Sequence, residues 1–167
     1  ECSKCSHKWS AEVSRRVNRG HGCPVCAGKV VVKGVNDLAT THPHLVREWN
    51  DDNLSVHEVS SGSWRRAGWK CSRGHEWVSE IQYRAYGNGC PVCANKLIIP
   101  GVNDAASSGK SFMDEWDYDN NDIDPKSICP TSHRVVQWKC HNGHKWSEKV
   151  SRRYHHHSQC PECHPVL

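Results

Sequence analysis

Trp69-Lys70-Cys71-Ser72-Arg73-Gly74-His75-Glu76-Trp77, with Cys90-Pro91-Val92-Cys93 thirteen residues beyond its last Trp, is one of three versions of a single pattern in this chain. Trp138-Lys139-Cys140-His141-Asn142-Gly143-His144-Lys145-Trp146 is followed, fourteen residues after its last Trp, by Cys160-Pro161-Glu162-Cys163. Near the start, His7-Lys8-Trp9 stands fourteen residues before Cys23-Pro24-Val25-Cys26, and the three His-x-Trp triplets lie 68 and 69 residues apart. A fixed period of this kind signals tandem units.

The chain has 167 residues, only 36% of them hydrophobic, with one Phe and one Met. That is enough length for one ordinary domain and too little apolar material for one large core. Eleven Cys and thirteen His supply the alternative. A disulfide framework needs no particular local spacing and no histidine, whereas ten of these cysteines fall in tight clusters, two of which include a His. The spacing therefore points to metal, with Cys129 alone outside the clusters. Cys129 answers Ser60 in the preceding repeat, which argues against a ligand role. No apolar run approaches the roughly eighteen residues needed to cross a bilayer, and no signal peptide is recognisable. We expect a soluble, intracellular protein without membrane partners. The start at Glu1-Cys2 leads us to expect that it begins inside a repeat of a longer chain.

The repeat extends into the connectors. Gly34-Val35-Asn36-Asp37 answers Gly101-Val102-Asn103-Asp104 and Glu48-Trp49 answers Glu115-Trp116, each 67 residues later. The expected division is a first zinc module at 1–29, a connector at 30–68, a second module at 69–96, a connector at 97–137 and a third module at 138–167. Trp77, Ser79, Ile81 and Tyr83 alternate as on a strand, with a turn at Gly87-Asn88-Gly89. Helix is the rival reading, because Trp77, Ile81 and Arg84, like Trp9, Val13 and Arg16 or Trp146, Val150 and Arg153, also recur at helical spacing. We adopt strand. Short helices are expected in the connectors, one started by Thr41-His42-Pro43 and running to Trp49, the other capped by Ser111 and reaching Trp116, with both Trp docked on neighbouring modules.

Structural zinc takes four tetrahedral N or S donors, and two short knuckles brought together supply them. The second module offers Cys71, His75, Cys90 and Cys93, and the third Cys140, His144, Cys160 and Cys163. In the first, superposing the triplets puts Ser3 in the place of Cys71, while Cys2-Ser3-Lys4-Cys5 forms its own knuckle; the expected set is Cys2, Cys5, Cys23 and Cys26. His7 is the competing fourth ligand, although only one residue separates it from Cys5. Four protein donors per site leave no position for water or substrate, so three structural Zn²⁺ and no catalytic metal are expected.

The pattern Trp-Lys-Cys-x₂-Gly-His-x-Trp, then Arg, then Gly-x-Gly-Cys-Pro-x-Cys, with Gly-x-Asn-Asp and Glu-Trp in the connector, resembles the zinc-ribbon family of tandem treble-clef repeats over essentially the whole chain. The first module departs from it in lacking the leading Trp. The resemblance implies a small α+β, zinc-stabilised fold of three treble-clef modules, each with zinc knuckles and a β-hairpin. It also implies an array of the kind attached to nuclease-like or other DNA-processing domains, with a nucleic-acid-binding role.

Net charge is silent on that role. The formal +4 falls to zero when ten thiolates and three Zn²⁺ are included. Distribution says more. Lys and Arg outnumber Asp and Glu by six to two in residues 1–29, four to two in 69–96 and five to two in 138–167, whereas the connectors are acidic, at three to seven in 97–137. Candidate contacts are Arg15, Arg16, Arg73, Arg84, Arg152 and Arg153 in the modules and Arg65, Arg66 and Arg134 ahead of the knuckles, with Arg19 and Lys149 beside them, mostly toward phosphates. Arg16, Arg84 and Arg153 occupy one place in every repeat, as a structural Arg bonding a carbonyl or carboxylate also would. Trp9, Trp77 and Trp146 could stack on bases, but core is the reading adopted. His155-His156-His157 reads as an exposed loop. The leading function is a non-catalytic nucleic-acid-binding array, for DNA in preference to RNA; the alternative is a protein-interaction scaffold using the acidic connectors and Trp64, possible in a ribonucleoprotein. An enzyme is disfavoured because no module carries a spare His and acidic cluster.

Overall fold

The computed structural model describes residues 1–18 and 20–165. Two compact units divide the chain, Glu1–Cys90 and Pro91–Leu167. In the first, helix α1 (Val13–Val17) follows the opening knuckle and α2 (Leu38–Thr41) begins the connector. Antiparallel strands β1 (Arg66–Lys70) and β2 (Glu76–Glu80) then form a hairpin that runs directly into α3 (Ile81–Ala85). The second unit repeats this with β3 (Val135–Lys139), β4 (Lys145–Lys149) and α4 (Val150–His156).

Each hairpin turns one face inward. Trp69 pairs with Trp77 and Ala67 with Ser79, as Trp138 pairs with Trp146 and Val136 with Glu148. Trp69 and Trp138 are wholly buried, while Trp77 and Trp146 pack half-buried against the two cores. Ile81 and Val150, the first residues of α3 and α4, join each core, and the rest comes from the connectors: Leu38, Leu45, Leu54 and Val59 in one unit, Ala105, Met113, Trp116 and Ile128 in the other. Outside the hairpins, the connectors thus supply four of the seven residues in each core, which is how a chain with one Phe covers its tryptophans.

The competing periodicities of 77–84 are both present, in succession. Trp77 and Ser79 lie on β2 as expected, but Ile81 and Tyr83 belong to α3, so the strand reading fails beyond Glu80. Trp146 and Val150 straddle the same junction, and in the first module α1 is the only element among the described residues. The histidine run is likewise no loop: His155 and His156 finish α4, and His157 closes it in the left-handed conformation at φ 49°. The expected connector helices are 3₁₀ segments, Pro43–Glu48 and Ser111–Glu115. Pro43 opens the first, its fixed φ suiting that position. Ser111 does not cap the second; Lys110 holds that place, without a side-chain bond.

Both segments end on the tryptophans that dock them. Trp49 bridges to Trp69 and Trp116 to Trp138, and the rings meet edge to face at 5.1 and 5.3 Å. This seals the outer edge of each hairpin: the Asn50 N–H donates to the Gly68 carbonyl at 3.0 Å, and Asp51 accepts from the Gly68 N–H at 2.9 Å. A Cβ at position 68 would overlap the Asn50 carbonyl oxygen, so the close approach requires glycine there. In the second unit Asn121 does the same work with its side chain, accepting from and donating to the backbone of Gln137 at 2.8 Å each way.

One arginine ties each unit together. The Arg84 guanidinium lies 5.0 Å from the Trp69 ring and 5.3 Å from Trp77, donating to Glu48 and to the Asn88 carbonyl. Arg153 repeats this over Trp138 and Trp146, at 4.9 and 5.2 Å, with Glu115 and the Ser158 carbonyl as acceptors. The Glu-Trp pairs of the connectors thus have a common purpose: the Trp buttresses the hairpin and the Glu neutralises the arginine within it. Breaking such a buried pair leaves an unpaired carboxylate and an empty slot between indoles. We expect Arg153→Ala to lower unfolding stability by about 3 kcal/mol in urea denaturation, and Arg152→Ala, one residue earlier and exposed, by less than about 0.5 kcal/mol.

Candidate metal centre

The turn of each hairpin is the first knuckle. Cys71 follows β1 and His75 precedes β2; the Cys71 N–H donates to the His75 carbonyl at 3.0 Å and the Gly74 N–H to the Cys71 carbonyl at 2.9 Å. Cys140, Gly143 and His144 repeat the turn at 3.1 and 2.9 Å. Gly74 and Gly143 sit at φ +85° and +87°, the left-handed region where glycine carries no steric penalty. The first module keeps the frame with one residue more: Ser6, at φ 56°, donates to the Cys2 carbonyl, and Cys2 donates to the His7 carbonyl, both at 2.9 Å. Cys2 therefore corresponds to Cys71 and Ser6 to Gly74, and the extra residue falls within Ser3-Lys4-Cys5. Superposing the triplets without that insertion is what placed Ser3 opposite Cys71.

The second knuckle is a Cys-Pro-x-Cys turn held by the connector. Asn36 donates its amide to the Val25 carbonyl at 2.8 Å and to the Val30 carbonyl at 2.9 Å while accepting from the Val32 N–H at 2.7 Å. Asn103 makes the corresponding bonds with Val92, Leu97 and Ile99, at 3.0, 2.9 and 2.8 Å. Asp37, which follows Asn36, is buried and accepts from the Gly34 N–H at 2.8 Å, with His57 at 2.6 Å. Burial opposes its ionisation, but bonds from Thr40, His57 and Gly34 outweigh that and hold its pKa down at about 2. Asp104 is also held below the usual carboxylate range: burial opposes ionisation, but Ser107 and Gly101 prevail. The Gly-Val-Asn-Asp repeat is thus a clasp behind the knuckle, a role that the 67-residue recurrence signalled and spacing alone did not reveal.

These elements gather the twelve sequence-derived ligands into three sets of four, with the donor atoms of each set within 4.8 Å of one another: Cys2, Cys5, Cys23 and Cys26; Cys71, His75, Cys90 and Cys93; Cys140, His144, Cys160 and Cys163. His7 is outside the first set, its ring stacked on Trp9 at 6.2 Å, and Cys129 is outside all three, its thiol 3.4 Å from the Thr131 hydroxyl. Tetrahedral zinc with bonds of about 2.3 Å to sulfur and 2.0 Å to nitrogen separates its donors by about 3.8 Å for S···S and 3.5 Å for S···N. The sulfurs of Cys2 and Cys26, Cys5 and Cys23, and Cys140 and Cys163 lie 3.5, 3.6 and 3.9 Å apart. His75 Nδ1 is 3.5 Å from Cys71 and 3.6 Å from Cys90, and His144 Nδ1 is 3.3 Å from Cys163 and 3.7 Å from Cys160. The spacing fits, and Nδ1 is the histidine donor. In the third set the other nitrogen, His144 Nε2, faces Glu162 at 3.5 Å, the carboxylate partner that fixes a metal-binding imidazole.

Backbone N–H groups prepare the thiolates. Those of Lys4 and Cys5 hold the Cys2 thiol down at about 6. At Cys140 burial pushes upward, but the N–H groups of Asn142 and His144 prevail and lower it. Bonds with Cys5 and Cys2, and burial after them, push Cys26 up to about 12, against the deprotonation that metal binding requires. A divalent metal resolves that conflict.

Comparison with protein families matches residues 1–29, 45–96 and 112–166 to the family described as Probable Treble clef zinc finger domain. The chain belongs to this family. A search of curated proteins finds no match. The fold is accordingly a small α+β arrangement of tandem zinc-binding treble-clef repeats with three sites, each able to hold a zinc ion. Among the described residues, no helix is long and apolar enough to cross a membrane.

The sequence-derived nucleic-acid contacts separate into two kinds. Arg84 and Arg153 are 4% and 1% exposed and committed to their glutamates, so their assignment to a binding surface is corrected: both are internal. Arg16 makes the same carbonyl bond, to His21 at 3.0 Å, and lies 5.3 Å from the Trp9 ring, but stays exposed. Arg15, Arg65, Arg66, Arg73, Arg134 and Arg152 are all exposed, as is Lys149. Arg15 pairs with Glu12, Arg134 with Asp122 and Arg152 with Glu148, at 2.9, 3.4 and 3.1 Å. Arg19 lies outside the described residues.

Because the Cys₄ and Cys₃His sets share one geometry, His75→Cys is expected to keep three zinc ions per chain in native mass spectrometry. Cys90→Ser is expected to reduce the count to two and to loosen the Trp69 core, seen as a weaker near-ultraviolet circular dichroism signal.

Proposed function

We propose that this treble-clef array binds nucleic acid without catalysing a reaction, and that its ligand is DNA in preference to RNA. The observation that carries the proposal is the separation of the arginines. Arg84 and Arg153 are inside, while Arg15 and Arg152, at one helix position of their modules, and Arg65 and Arg134, at one position before their hairpins, are all exposed. Their ion pairs are surface pairs worth about 0–1 kcal/mol, little obstacle to exchange for a phosphate. Four protein donors at each metal site support a scaffolding rather than a catalytic zinc. The preference for DNA, and an association with a nuclease-like domain, come from the family likeness alone.

Binding to phosphates releases counterions, so affinity should fall steeply with salt. Replacing Arg15, Arg65, Arg134 and Arg152 together by Ala is expected to weaken duplex DNA binding more than tenfold and to make the log–log salt dependence shallower by about 0.9 for each phosphate that is no longer neutralised. Fluorescence anisotropy with duplex DNA, single-stranded DNA and RNA across a salt series measures both. Absence of binding to all three at low salt overturns the proposal, and a partner captured equally well after nuclease treatment favours a protein scaffold.

A further inference from the structure

The residue before each hairpin and the outer side of the following helix form one frame in both units. Ser63 and Arg65 accept from the N–H groups of Gln82 and Ile81, each at 3.0 Å; Ser132 and Arg134 accept from Ser151 and Val150, at 2.8 and 3.1 Å. These bonds place Trp64 where the other unit has His133, Tyr83 where it has Arg152, and Tyr86 where it has His155. The frame is the same and the chemistry differs. In the second unit His133, Lys149, Ser151, Arg152, His155 and His156 line one open cleft, and its basic groups are exposed. In the first unit the positions of His133, Arg152 and His155 are aromatic and open to water, with Trp64 75%, Tyr83 48% and Tyr86 79% exposed, while Glu80 stands in the place of Lys149.

Trp64 stands apart from the other tryptophans, each of which is buried or half-buried. It does not belong to the core that Trp49, Trp69 and Trp77 share. Arg65 and Arg66, both exposed, follow it directly. Exposed aromatic rings beside cations, with a version of the same surface elsewhere in the chain that carries Lys149 and Arg152 in place of rings, match a ligand that offers both flat π faces and phosphates. Single-stranded nucleic acid does so, since its bases are free to stack on side chains, whereas a duplex hides its base faces.

Resting on the nucleic-acid reading above, we propose that the ligand is single-stranded, with Trp64 and Tyr86 as a stacking platform for unpaired bases and Lys149 and Arg152 as a phosphate-binding counterpart.

The test compares the zinc-loaded full chain on a fluorescein-labelled single strand of about 16 nucleotides, within the span of a small binding domain, and on the same sequence as a duplex. The wild type is expected to prefer the single strand. Trp64→Ala with Tyr86→Ala should lower single-strand affinity about tenfold or more, since stacking of one base is worth at least about a fivefold change, and should leave duplex binding and the salt slope unmoved. Trp64→Phe with Tyr86→Phe should restore most of the affinity. Lys149→Ala with Arg152→Ala should weaken both forms and make the single-strand slope shallower by about 1.4, or about 0.7 per phosphate. A zinc count of three in each variant shows that the fold is intact. Duplex binding as tight as single-strand binding, or no effect of the aromatic double variant on the single strand, overturns the proposal while leaving nucleic-acid binding standing. Absence of wild-type binding to both probes at low salt overturns the reading on which it rests.

Discussion

Ten cysteines and two histidines converge in three sets whose donor atoms lie within 4.8 Å of one another, and thiolates at that range repel unless a cation sits between them. Everything else in the chain is arranged around this constraint. The second and third sites each join a hairpin turn to a Cys-Pro-x-Cys turn, the first joins the Cys2–His7 turn to one, and the two tryptophans that face inward on each hairpin stand within two residues of a ligand. With the metal fixing those turns, a core of seven buried residues per unit is enough. Metal-binding free energy then becomes folding free energy, the usual route by which small modules with few apolar residues stay ordered.

Between sites the connectors extend the same economy. Asn36 and Asn103 hold the backs of the second knuckles, Trp49 and Trp116 cover the hairpin edges, and Glu48 and Glu115 complete the arginine sandwiches. An arginine between two indoles acts both as a charge and as a flat apolar filler, its guanidinium facing the rings while its hydrogen bonds go to a carboxylate and a carbonyl. One residue type thus has two fates in this fold: Arg153 is part of the interior and Arg152, beside it, belongs to the surface.

Much of this was legible in the sequence. Ligand identity followed from spacing, because a zinc knuckle requires its donors close along the chain, and the repeats announced themselves through Trp, Gly and Cys-Pro-x-Cys. What spacing could not convey was the change of backbone at Glu80 and Lys149: strand and helix periods overlap on Trp77, Ile81 and Arg84, and only the junction reconciles them. The roles of Glu48 and Asn36 were hidden for another reason, since their partners lie 36 and 11 residues away and side-chain bonds at those separations leave no periodic trace. The equivalence of Ser3 and Cys71 failed through a single inserted residue, visible only in the backbone conformation that Ser6 shares with Gly74 and Gly143.

The claim on which this account stands is that metal and fold are one equilibrium. Native mass spectrometry combined with near-ultraviolet circular dichroism during titration with a zinc chelator tests it directly. The account predicts three zinc ions per chain and a tryptophan signal that fades in step with their removal and returns when zinc is restored. A chain that keeps its tertiary signal after all zinc has gone, or that holds fewer than three ions when saturated, would contradict it.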